Sequence, residues 1–201
     1  MSGSEAKIME RLGALDAPFR AREAEARGVP RWRLRQLVGD GLLTELGRGL
    51  YQLSGAPPSA ELDFVSIKKL APRAIVCLNS SLAYWELSDE IPRAVHIAVP
   101  RHSHRPRIAH PPIKVHEFDP ETFELERREV KAPAGVFWVY GPERSVVDAF
   151  RLQRLVGRDQ ALVAIRRYME RRDRDPNRLL ELATRLRTRA AVQRNLELLL
   201  S

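Results

Sequence analysis

Glycine and proline punctuate residues 28–49 so closely that only one short helix and one tight hairpin fit between them. Gly28 and Pro30 stand before "RWRLRQLV", Gly39 and Gly41 follow it, and Gly47 and Gly49 bracket Arg48. Proline's fixed φ suits a first helical position, so a helix is predicted from Pro30 to about Asp40, stopping at Gly41. At ~100° per residue, Leu34, Leu37 and Val38 share one sector and face a core. Trp32 and Gln36 then lie nearly opposite, flanked by Arg33 and Arg35. A large ring on the wet side of a basic helix calls for a partner.

The flanking residues extend the pattern. Residues 4–15 carry Ile8, Met9, Leu12 and Leu15 at helical spacing, with Ser4 placed as a cap. "FRAREAEARG" supplies a second, alanine-rich helix ending at Gly28. "LLTELGRGLYQL" reads as two strands joined around Gly47-Arg48-Gly49, where glycine tolerates a positive φ. Helix, helix, turn, helix and two-stranded wing is the order of a winged helix-turn-helix, assigned to residues 1–54.

"SGAPPSAE" at 54–61 has the composition of a linker. Residues 61–70 are expected to be helical and "AIVCL" at 74–78 a buried strand, with Asn79 capping the helix "SSLAYWEL". "AVHIAVP" at 94–100, "IKVHEF" at 113–118, "FELERREVK" at 123–131 and "GVFWVY" at 135–140 read as strands, and "RHSHRPRIAHPP" as a basic, proline-rich loop. From Pro142 the pattern turns helical. Val146, Val147, Phe150 and Leu155 share one face, then Leu162, Ile165 and Met169, then Leu179, Leu182 and Leu186, with Leu196, Leu199 and Leu200 last. Asp159 and Asp175 are expected caps, the second followed by Pro176. The fold class expected is α+β: the winged helix-turn-helix, then a mixed sheet and helix domain at 55–201 with a helical, arginine-rich C-terminal end.

The 201 residues suit one domain or two small ones. The lone Cys77 excludes an internal disulfide and fits a reducing cytoplasm. No apolar run approaches a membrane span, and "MSGSEAKIMERL" lacks the regions of a signal peptide, so a soluble cytoplasmic protein without a membrane partner is expected. The net charge of +8 favours a polyanionic partner. Its distribution is uneven. Residues 1–54 hold 9 basic against 7 acidic residues, residues 55–150 hold 12 against 13, and residues 151–201 hold 13, all arginine, against 6.

In a helix-turn-helix the second helix enters the major groove, where arginine pairs with guanine and glutamine with adenine. Arg31, Trp32, Arg35 and Gln36 are best placed for the groove, with Arg33 at its margin. Arg48 at the hairpin tip is placed to enter the minor groove or meet phosphate, and Arg20 and Arg22 join this DNA-binding set. The alternative for Trp32 is packing onto the wing or the second domain. Arg166, Arg167, Arg171, Arg172 and Arg174 form a second basic surface, for phosphates beside the duplex, for an acidic or RNA-bearing partner, or as a solvated helix face.

Metal and catalytic chemistry have weaker support. His102, His104, His110 and His116 lie near one another in sequence, but zinc sites take four ligands in defined geometry, and the loop's arginines repel a cation. No nucleophile elbow, phosphate loop, dinucleotide fingerprint or H-E-x-x-H occurs. Glu86, Asp89, Glu90, Glu117 and Asp119 match no nuclease spacing, and no enzyme, cofactor or metal is expected. A metal-dependent nuclease and a protein-interaction module without DNA specificity remain the alternatives. In "YGPERSVVDAFR", Glu143 in the first turn suits the helix dipole, and Arg144 and Asp148 are spaced for a helical ion pair of a few tenths of a kcal/mol.

The stretch from Phe19 to Leu53 resembles the N-terminal winged helix of AbiEi-type antitoxins, through Gly28, Val29, Leu34, Leu37, Gly41, Leu43, Gly49 and Tyr51. "LNSSLAYWEL" and "VHIAVP" are similar to the helix and strand that follow in that family, and Glu143, Arg144, Ser145 and Asp148 to its E-R-[ST]-x-x-D signature. The resemblance covers nearly all of residues 19–160. It implies a cytoplasmic antitoxin and transcriptional autorepressor of a type IV toxin–antitoxin pair linked to phage defence. The implied partners are double-stranded DNA, as an inverted-repeat operator, and a nucleotidyltransferase-like toxin whose opposition need not involve a stable complex.

Overall fold

The computed structural model describes residues 3–15, 17–55 and 59–200. It divides into two compact units: one of Met1–Pro72 with Pro106–Ile113 and Val130–Phe137, the other of Arg73–Arg105, Lys114–Glu129 and Trp138–Ser201. The architecture is α+β, and its C-terminal end is helical.

The first unit begins with α1 (Gly3–Gly13), β1 (Phe19–Arg20), α2 (Ala21–Ala26), α3 (Arg31–Gly39), β2 (Leu43–Gly47) and β3 (Leu50–Leu53). The side chain of Ser4, the expected cap of α1, lies outside the described residues. Residues 19–28 are not one helix. Phe19 and Arg20 form a strand opposite Tyr51 and Leu50, making a three-stranded antiparallel sheet in the order β1-β3-β2. Burial decides this: Phe19 is 1% exposed, and its ring packs 6.3 Å from that of Tyr51. Glu23 accepts the Arg20 backbone N–H and so marks where α2 begins. Pro30 caps α3 in extended conformation rather than opening it. Beyond α3, Gly41 at φ +73 lets the Leu42 N–H reach the Leu37 carbonyl at 2.9 Å. Leu12, Phe19, Ala24, Val29, Leu34, Leu37 and Leu43 make the core of this region.

In the hairpin Leu43 faces Leu53 and Glu45 faces Tyr51, and the register shifts between Glu45 and Gly47. Such a bulge sharpens the local twist. Gly49 turns the chain at φ +71. At Gly47 a Cβ would stand 2.9 Å from the Leu70 Cδ1 at the end of α4 (Ala60–Leu70), so the Leu70 side chain would have to shift. Ser59 caps α4 by accepting from the Leu62 N–H at 3.2 Å. Of the expected linker at 54–61, residues 56–58 lie outside the described residues. Phe64 of α4 meets Phe137 edge-on, ring centroids 5.2 Å apart.

The remaining elements are β4 (Ile75–Val76), α5 (Leu78–Tyr84), β5 (Val95–Pro100), β6 (Ile113–Phe118), α6 (Pro120–Phe123), β7 (Arg127–Ala132), β8 (Gly135–Tyr140), α7 (Pro142–Arg151), α8 (Gln153–Val156), α9 (Arg158–Glu170), α10 (Pro176–Arg185) and α11 (Arg189–Leu200). The mixed sheet runs β6-β5-β4-β8-β7, with β4 parallel to β8 and antiparallel to β5. Asn79 sits within α5 and does not cap it; Cys77 holds that position in extended conformation. The expected strand 123–131 is shorter, because Asp119 accepts from the Glu121 N–H and nucleates α6 through Phe123.

The helical end departs from simple periodicity in three places. Leu152 breaks the helix, so Leu155 falls on α8 at 51% exposure, off the face of Val146, Val147 and Phe150. In α9 the small Ala161 and Ala164 are buried beside Ile165 and Tyr168, while Leu162 and, on α11, Leu199 are each 37% exposed. Asp159 lies inside α9, whose cap is Gly157 at φ +98. Asp175 does cap α10, accepting from the Arg178 N–H at 3.0 Å. Leu179, Leu182 and Leu186 join the core as expected.

Candidate nucleic-acid interface

Burial along α3 follows the phase expected from its sequence. Leu34 and Leu37 are fully buried, Val38 is half-buried, and Trp32 is 66% exposed. Trp32 therefore does not pack against the wing. Beside α3 lies a cleft of about 740 Å³, lined by Arg20, Arg22, Arg31, Arg35 and Arg48 with Ala21, Glu45, Gly49 and Tyr51. Strand, helix and hairpin each bring guanidinium groups to this one concavity.

The arginines differ in what else they do. Arg20 donates to the Lys69 carbonyl and Lys69 to that of Pro18, which ties β1 to the end of α4. Arg31 pairs with Glu25 at 2.9 Å while remaining exposed. Arg33 is turned away: it donates to the Gln36 side-chain oxygen, lies 4.0 Å from Glu5, and its side chain is only 16% exposed. Arg33, expected at the groove's margin, and Gln36 are thus bonded to each other on the helix surface. Arg22, Arg35 and Arg48 are exposed and have no ion-pair partner among the described residues.

Two cleft residues escaped sequence reasoning. Glu45 accepts the Gly49 N–H at 3.0 Å and lies opposite Tyr51. Burial first, then the Glu45 carboxylate, pushes the Tyr51 phenol above its ordinary value, against the opposing effect of Arg35 and Arg31. Hairpin register puts Glu45 and Tyr51 on one face, a signal that was available in the sequence.

Two arginines of the second basic surface, Arg167 and Arg171, are engaged in ion pairs within their unit. Arg167 holds the Asp89 carboxylate and donates to the Glu86 carbonyl at 3.3 Å. Arg171 grips Asp173 through two bonds of 2.9 and 3.0 Å and reaches the Trp85 carbonyl at 3.2 Å. Arg174 donates to the Arg171 carbonyl at 3.0 Å. Of the five, Arg166, Arg172 and Arg174 are exposed without an ion pair among the described residues.

Glu143, Arg144, Ser145 and Asp148 are all buried. Arg144 donates to Asp148 at 2.8 Å and to the carbonyls of Thr122 at 2.8 Å and Leu125 at 3.2 Å, so it braces the α6–β7 connection. Glu143 accepts from Arg128 at 2.8 Å, and Ser145 donates to Ser81 at 2.8 Å. The expected helical ion pair thus forms, inside a buried cluster that locks α7 to its surroundings. Among the histidines, His116 pairs with His96, ring nitrogens 3.3 Å apart, while His102, His104 and His110 are exposed. Among the described residues no three of His, Cys, Asp or Glu are placed to hold a metal ion.

The first unit's element order and its basic cleft are consistent with a winged helix. Residues 17–54 match the family model described as "Transcriptional regulator, AbiEi antitoxin". The residues from Gly28 to Tyr51 that carry the resemblance all lie inside that match. In fold the chain is similar to the RV2827C protein from Mycobacterium tuberculosis, with a TM-score of 0.63 at 15% identity over 96% of this chain and 80% of that one. No curated protein matches it in sequence. Among the described residues no helix is long and apolar enough to cross a membrane.

Proposed function

We propose that the chain is a DNA-binding transcriptional regulator and antitoxin whose first unit docks its arginine cleft and Trp32 against double-stranded DNA. The observation that carries this reading is the convergence of Arg22, Arg35 and Arg48, exposed and without ion pairs among the described residues, on one cleft. A duplex presents phosphates on both sides of a groove and base edges between them. The family match of residues 17–54 supports the same reading. The finer assignment is autorepression at an inverted-repeat operator, in the cytoplasm, within a type IV pair serving phage defence. The chain opposes a nucleotidyltransferase-like toxin without catalysis of its own.

The test is retention of duplex DNA from upstream of the chain's own gene at physiological salt. Binding competed more weakly by unrelated duplex than by itself supports the reading. Operator affinity unchanged in Arg22→Ala, Arg35→Ala and Arg48→Ala chains sinks it. Growth rescue of cells expressing the neighbouring toxin tests the antitoxin role separately.

A further inference from the structure

Glu45 is an anomaly in the cleft. It is a carboxylate in a concavity lined by Arg20, Arg22, Arg31, Arg35 and Arg48, yet it forms no ion pair with any of them among the described residues. Arg31 pairs with Glu25 instead. The hairpin holds Glu45: Oε1 accepts the Gly49 N–H at 3.0 Å, and the residue faces Tyr51 directly across the ladder. Its charge is therefore fixed in place and not cancelled by a bonded cation.

Resting on the DNA-binding reading, we propose that Glu45 is a specificity-determining residue of this cleft: a fixed anion that turns phosphate away and accepts a hydrogen bond from the amino group of a base edge. Phosphate oxygens are acceptors only, and a carboxylate offers them repulsion and no donor. Every base pair, by contrast, displays an amino donor in the major groove, adenine N6 or cytosine N4. An ionised carboxylate has about four acceptor sites, so the bond to Gly49 leaves capacity for one of these. Without Glu45 the cations would hold backbone in any orientation. With it, the surrounding arginines take phosphate only where Glu45 meets a base edge.

Glu45→Gln removes the charge but keeps the oxygen that Gly49 needs, and the position is exposed, so the hairpin is retained. The experiment compares the full chain and this variant for affinity toward a short mixed-sequence duplex and toward linear inorganic polyphosphate. The variant is expected to bind polyphosphate about three- to tenfold more tightly, the scale of one like charge at several ångströms, while duplex affinity stays level or falls. The gap is expected to close as salt rises, because it is electrostatic. An unchanged duplex-to-polyphosphate ratio, or a gap indifferent to salt, overturns the assignment of Glu45. Failure of the unaltered chain to bind duplex at all overturns the DNA-binding reading, and this inference with it.

Discussion

The Arg144 guanidinium donates to the Asp148 carboxylate at 2.8 Å with both side chains closed to water, at 0% and 1% exposure. Asp148 also receives Arg151 through its other oxygen at 2.9 Å, and Arg144 lies 4.6 Å over the Tyr140 ring. Two cations and one anion make this cluster asymmetric: its single carboxylate serves both arginines.

That asymmetry predicts an order of damage. Asp148→Ala strands the buried Arg144 charge and should lower unfolding free energy by about 3–5 kcal/mol. Arg144→Met should cost less, since Asp148 keeps Arg151 and the methionine fills much of the space. Urea unfolding monitored by tryptophan fluorescence measures both, and equal losses contradict the account.

His96 is 4% exposed, and burial, with lesser contributions from His116 and Lys114, lowers its pKa to about 4. The folded state therefore binds this proton more weakly than the unfolded chain does. Stability is fully present above the ordinary histidine value near 6.5 and falls as pH drops from there toward about 4. Replacement by glutamine should flatten that part of the stability profile, whatever it does to absolute stability. Thermal melts across this range provide the check.

At the alkaline end Tyr168 behaves in the same way with the opposite sign of charge. Burial raises its phenol to about 12. The folded state holds the proton more tightly, so stability is present below the ordinary tyrosine value near 10 and is lost as pH rises toward 12. Tyr168→Phe should remove one late step from the ultraviolet titration of the folded chain. A step that persists in the variant assigns the late titration to another phenol.

Gly47 and Gly49 should fail for different reasons. Gly49→Ala meets nothing within 4 Å but must hold φ +71, which costs about 1 kcal/mol of backbone strain. Gly47→Ala keeps an ordinary backbone and instead presses on Leu70 at 2.9 Å. The double variant Gly47→Ala, Leu70→Ala should recover hairpin order lost in Gly47→Ala, read by amide exchange of β2 and β3. No such rescue is expected for Gly49→Ala.

Each unpaired cleft arginine that meets a phosphate should contribute about one to the slope of log affinity against log salt. Arg22→Ala, Arg35→Ala and Arg48→Ala are thus expected to flatten the slope for duplex DNA. Trp32→Ala should weaken binding without changing that slope, because an indole releases no counterions. Titrations at several salt concentrations separate the two behaviours.

Local chemistry made much of this readable in advance. The phase that buries Leu34 and Leu37 and exposes Trp32, the Gly41 stop, the Arg48-Gly49 turn and the Asp175 cap depend on neighbours within a few positions. Phe19 misled because its strand pairing is with Tyr51, far along the chain. Leu155 misled because a break at Leu152 reset the helical phase.

Helical period, glycine's access to positive φ and proline's fixed geometry act over one or two turns, so residue order alone determined the helix, hairpin and outward-facing cations of the first unit. Which charges are spent internally was decided only in three dimensions. Arg167 finds Asp89 and Arg144 finds the Thr122 carbonyl across long separations, and Arg33 comes within 4.0 Å of Glu5 on α1. Water exclusion and ion pairing depend on what tertiary packing brings near, and linear spacing carries no record of that.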